Sequence, residues 1–150
     1  MRRPDASDAG GGRLLPAALV LLAAALSLTP ITNNDLFLHL RTGSIVLATG
    51  SVPKVDDYSV LARGRPFVAH EWLAGVLFRL TETAFGAHGL DALILLKALL
   101  TIVTLGVLWR TARTLGADPR VAAACGAFVI FLAAARVLER PHLFSYLLTA

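Results

Sequence analysis

Residues 89 to 109 read GLDALILLKALLTIVTLGVLW, an apolar run broken by charge only at Asp91 and Lys97. A run of this kind meets the ~20 residues that an α-helix needs to cross a hydrocarbon core. The chain must therefore place a long greasy helix either in lipid or inside a helical bundle. Lys97 restricts the choice further, because a lone cation at mid-membrane costs roughly 2.5–3.5 kcal/mol on insertion scales. It is expected to face the bundle, pair with an acid or a phosphate, or snorkel to the interface.

The rest of the chain agrees with a membrane setting. Of its 150 residues, 56% are hydrophobic and 16% charged, against roughly 25% charged in an ordinary soluble domain. The mean hydropathy is +0.68. Further apolar runs start at Leu14, at Val121 and, just beginning, at His142. Arg2, Arg3 and Arg13 precede the first run, which predicts a cytoplasmic N-terminus and residues from 33 onward outside. The basic start and the AAA near the end of that run also suit a cleaved signal peptide, but an uncleaved first helix is preferred because more apolar segments follow. The formal net charge of +4 is scattered among apolar runs and forms no stripe, so nucleic acid is not an expected partner. The single Cys125 excludes an intrachain disulfide and reads as a packing residue. Among common motifs, the P-loop, nucleophile-elbow, HExxH and paired CxxC patterns are all absent.

These patterns predict an all-α polytopic transmembrane bundle. Residues 1–13 are expected to form a disordered cytoplasmic tail, with spans near 14–31, 71–86, 90–109 and 121–138, another beginning at 142, and an external loop over 32–70. Segment 71–86 is amphipathic at helical period, with Trp72, Leu73, Val76, Leu77 and Leu80 interrupted by Glu71, Arg79 and Glu82. A short span is slightly preferred over a helix lying at the interface. Arg136, Glu139 and Arg140 near the end of the 121–138 run suit ion pairing and snorkelling. The apolar run opening at 142 predicts further transmembrane helices of a longer chain, the 150 residues being its N-terminal part and inactive alone.

Most of the chemistry gathers in NNDLFLHLRTGSIVLATGSVPKVDDYSVLARGRPFVAHEWL, residues 33 to 73. Asn33 and Asn34 can cap a helix, Asp35 falls in its first turn where the dipole favours an acid, and Gly50 supplies the stop. Asp35 and His39 are one helical turn apart and share a face. Leu36, Phe37, Leu38, Leu40, Ile45, Val46 and Leu47 cover the other faces, so this helix is expected on the membrane surface or against the bundle. Gly64 and Pro66 mark a turn, and His70 and Glu71 open the next helix, either capping it or lining a pocket. Asp56 and Asp57 suit turn positions as well as a site, and Tyr58 and Ser59 suit loop packing.

The order D-x-x-x-H-L-x-x-G, P-x-x-D-x-(F/Y)-S and G-x-P-(F/W)-x-x-H-E-W-L resembles the first external loop of a bacterial family of polytopic membrane proteins. That family is similar to the GT-C glycosyltransferases, including the dolichyl-phosphate-mannose mannosyltransferase-like enzymes. The matching residues are Asp35, His39, Leu40 and Gly43; Pro53, Asp56, Tyr58 and Ser59; and Gly64, Pro66, Phe67, His70, Glu71, Trp72 and Leu73, with RPHLFS at Arg140–Ser145 also similar.

The resemblance implies a bacterial inner-membrane, multi-pass enzyme that takes a sugar from a polyprenyl-phosphate donor to an extracytoplasmic acceptor. It implies catalytic roles for Asp35 and His39, with Asp35 as base or as ligand to a divalent metal such as Mg or Mn. Substrate contacts would come from Asp56, His70, Glu71 and Arg140. The family's second acid beside the first is missing, since Leu36 stands there; Asp56, Asp57 or Glu71 would have to replace it. Two other classes fit the same residues. One is a non-catalytic membrane protein whose 33–73 loop binds a lipid head group or a partner. The other is a transporter subunit, for which Arg79 and Lys97 would be the sign.

Overall fold

A computed structural model describes residues 7–134, 137 and 139–150. Arg2, Arg3 and Arg136, together with residues 1–6 of the expected tail, lie outside the described residues. The elements in order are α1 (Ser7–Ser27), α2 (Asp35–Thr49), α3 (Trp72–Ala84), a 3-10 turn at Gly86–His88, α4 (Gly89–Thr114), α5 (Pro119–Ala133) and α6 (His142–Thr149). The described residues contain no β-strand, only an isolated antiparallel bridge between Val55 and Pro66. The chain is all-α.

Of the expected spans, one has a helix of crossing length. Gly86–Thr114 is 29 residues of high hydropathy, or about 43 Å at ~1.5 Å per residue. The apolar helices Leu14–Ser27 and Pro119–Ala133 are shorter, and α3, with 13 residues, reaches only ~20 Å. Helix α1 starts at Ser7, so residues 7–13, expected in the disordered tail, are helical. Once the apolar run from Leu14 has nucleated a helix, extending it needs only one hydrogen bond per residue fixed. Asp118 caps α5, accepting from the backbone N–H of Arg120 at 2.8 Å, with Pro119 following as a residue that lacks the donor anyway.

The chain divides into two compact units. The first comprises residues 1–30, 95–138 and 143–150. Its core is Ala23, Leu100, Leu105, Ile130, Val137 and Leu143. Helices α1 and α5 pack closely because Gly126 has no side chain; a Cβ there would lie 3.3 Å from the Leu19 methyls. Lys97 is 1% exposed, and its Nζ donates to the Thr29 carbonyl at 3.0 Å and to the Thr29 hydroxyl at 3.1 Å. Of the three placements open to it, the cation takes the inward one.

The second unit comprises residues 31–94 and 139–142. Helix α2 ends as its glycine requires, with Gly50 at φ 67° and its N–H bonded to the Val46 carbonyl. Helices α2 and α3 pack face to face at Gly43 and Gly75. The connecting segment folds back on itself through Phe67 N–H to Lys54 O (2.8 Å) and Asp56 N–H to Arg65 O (2.9 Å), with Gly64 turning at φ 82°. Tyr58 pins this arc to α2: its hydroxyl lies 3.1 Å from that of Thr42, and its ring sits edge-on to Phe67. Tyr58 therefore packs the loop, as a loop aromatic should.

Candidate functional site

The start of α2 is set by Asn33, which is buried. Its Oδ1 accepts the Asp35 N–H at 3.1 Å, while its Nδ2 donates to the Glu139 carbonyl at 3.3 Å. Asn34 holds the N-cap position without a side-chain bond. One asparagine thus organises the first turn of α2 and tethers a segment that is 106 positions away in the sequence.

That tether delivers Arg140. Its Nη2 lies 2.8 Å from Asp35 Oδ2 and also donates to Asn33 Oδ1 at 3.4 Å. Both side chains of the ion pair are partly exposed, Arg140 at 40% and Asp35 at 56%. The Arg140 Nε is buried without a hydrogen-bond partner among the described residues.

One turn along α2, His39 is buried between the helices, with its ring edge-on to Phe78 at 6.2 Å. Its Nε2 lies 3.6 Å from Glu71 Oε2, an electrostatic contact slightly longer than a hydrogen bond. Burial holds the imidazole below its ordinary pKa of 6.5; Glu71 and Asp35 pull the other way, and Arg140 and His70 add to the lowering. His39 is therefore neutral at pH 7. Because the unfolded chain takes up the proton first, this burial destabilises the fold as pH drops through 6.5, levelling off below the depressed folded value. Unfolding titrations of the chain in detergent should show stability falling from pH 7 towards pH 5. His39→Gln should flatten that slope, and an unchanged slope would remove His39 as its source.

The remaining expected site residues separate. Glu71 precedes α3 and joins His39. His70 is exposed, with Nδ1 3.2 Å from the Val68 carbonyl, and reaches His39 through its charge alone. Asp56 is hydrogen-bonded within its own turn. Its Oδ1 accepts the N–H groups of Tyr58 (2.8 Å) and Ser59 (2.9 Å), and its Oδ2 accepts the Ser59 hydroxyl at 2.5 Å. These bonds, led by the Ser59 hydroxyl, hold its carboxyl below the usual range. The acid after Pro53 thus shapes its loop.

The residues that sequence reasoning passed over are Asn33 as a tether and Gly75 and Phe78 as walls. Gly75 carried a usable signal: a glycine inside an apolar helix costs ~1 kcal/mol against alanine and needs a packing reason. No group of three or more His, Cys, Asp or Glu is placed to hold a metal ion among the described residues. The Arg140 guanidinium faces one of the two Asp35 carboxylate oxygens. The cluster offers a paired carboxylate and guanidinium beside a neutral imidazole backed by a second carboxylate. Compared with family models, with characterised proteins and with solved structures, the chain matches none.

Proposed function

We propose that the chain is the N-terminal part of a polytopic, inner-membrane glycosyltransferase of the GT-C type, with the second unit on the external face. The donor is a polyprenyl-phosphate sugar and the acceptor an extracytoplasmic hydroxyl or amide. The observation that carries this reading is the 2.8 Å pair between Asp35 and Arg140. It joins two segments, D-x-x-x-H and RPHLFS, whose likeness to that family was independent in the sequence.

The chemistry needs a base for the acceptor proton and positive charge for the departing phosphate. In the resting chain these two groups neutralise each other. When the donor's phosphate takes the Arg140 guanidinium, the Asp35 carboxylate is released next to His39. The acceptor oxygen, or nitrogen for an amide, then bonds to the anomeric carbon as the carbon–oxygen bond to phosphate breaks. The electron pair leaves on the phosphate oxygen, and the acceptor proton goes to Asp35.

A second reading, lipid head-group binding without transfer, is favoured by the same pair, since a neutralised Asp35 is a poor base until an anion intervenes. Transfer of labelled sugar from a polyprenyl-phosphate donor, in vesicles carrying the full-length protein, separates the two. Arg140→Gln should raise the donor KM at least about tenfold, the worth of a charged hydrogen bond. Donor binding by the wild type with no transfer to any hydroxyl or amide acceptor would leave the head-group reading standing and reject the transferase.

A further inference from the structure

We infer that Glu71 is a positioning residue that acts through His39: it fixes the imidazole with Nε2–H towards its carboxylate and so leaves Nδ1 as the nitrogen that accepts a proton or hydrogen bond. This rests on the transferase reading for its purpose, although the pairing itself can be measured without any transfer.

The geometry begins with the helix crossing. A Cβ on Gly75 would lie 2.6 Å from the His39 carbonyl oxygen, so the backbone of His39 is at the closest approach of α2 to α3. Gly75 N–H bonds to the Glu71 carbonyl at 3.2 Å, which places Glu71 one turn before the crossing. The ring of His39 is held at this point by Phe78 on one edge and meets Glu71 through Nε2. The other charged groups facing it are Asp35 from its own helix, His70 beside Glu71, and Arg140. Asp35 is occupied by Arg140 at 2.8 Å, so Glu71 is the carboxylate left to orient the imidazole. A ring nitrogen bearing hydrogen is stabilised when it faces a carboxylate, and the tautomer follows from that contact. Sequence spacing joined Asp35 to His39; the fold adds Glu71 from the start of α3.

The test is an NMR titration of the full chain in nanodiscs with labelled histidine, the His39 signal being assigned by its loss in His39→Gln. The Cδ2 shift distinguishes the two neutral tautomers. At pH 8 the wild type should be mainly the Nε2–H form. Glu71→Gln should lower the His39 midpoint by about one pH unit, the order expected for a charge 3.6 Å away in a watery surround, whereas Glu71→Asp should largely restore it. A wild type mainly in the Nδ1–H form, or a midpoint unmoved in Glu71→Gln, overturns the proposal. Should Glu71→Gln fail to fold, the wild-type tautomer decides it. In the full-length enzyme, Glu71→Gln should lower kcat about tenfold or more with little change in donor KM. Absence of any transfer by the wild type, with the tautomer coupling intact, would reject the transferase and leave the pairing in place.

Discussion

Replacing Gly43 by alanine should separate α2 from α3. The new methyl carbon would lie 2.1 Å from the Gly75 carbonyl oxygen, 2.5 Å from its carbon and 2.9 Å from the Val76 nitrogen. All three are backbone atoms of a hydrogen-bonded helix, so no side chain can rotate out of the way. The helices must part, and the packing of Leu36, Leu40 and Phe78 opens with them. Overpacking of this severity costs about 3 kcal/mol, a large share of the stability of a small unit. Gly106→Ala supplies the control, because a Cβ there meets nothing within 4 Å and the residue lies inside α4. That substitution should stabilise by up to ~1 kcal/mol. Thermal or denaturant unfolding in detergent, followed by circular dichroism, reads both variants. Equal stability of the two would mean that Gly43 does not set the crossing. Because His39 meets Glu71 only through this crossing, Gly43→Ala should also weaken the dependence of stability on His39 titration.

Local rules made part of this fold legible. Gly50 stops α2 because only a residue without Cβ turns easily at φ 67°. Lys97 faces inward, as a cation within an apolar run was expected to, with its Nζ on the Thr29 carbonyl and hydroxyl. The all-α class follows from the spacing of the apolar residues. Tertiary pairing was not legible. Nothing near Asp35 in the sequence indicates that Arg140 will reach it, because that contact depends on Asn33 bonding to the Glu139 carbonyl. Asp56 suited a turn as well as a site, and its bonds to the N–H groups of Tyr58 and Ser59 show the turn. Helix lengths were misjudged in the same way. Hydropathy marks where a segment is apolar, but the helix ends depend on caps such as Asp118 and on neighbours that a single sequence does not reveal.

Asp35→Asn in the full-length protein should lower sugar transfer by about 10²- to 10⁴-fold, the range over which a positioned base acts. The substitution keeps the shape of the side chain and removes its charge, so it affects two functions at once: taking the acceptor proton and restraining Arg140. Folding is not a serious confounder, since both partners are partly exposed and such pairs are worth ~1 kcal/mol or less. The kinetic parameters separate the two functions. If Asp35 only restrains Arg140, freeing the guanidinium should tighten donor binding, so KM falls while kcat changes little. If Asp35 is the base, kcat falls. Arg140→Gln makes the complementary change, leaving the base in place and weakening the hold on phosphate. Because the two side chains are in contact, their losses should couple and not simply add: a pair that serves only to hold the segment should lose little more in the double variant than in either single one, whereas a base and a phosphate ligand should lose clearly more.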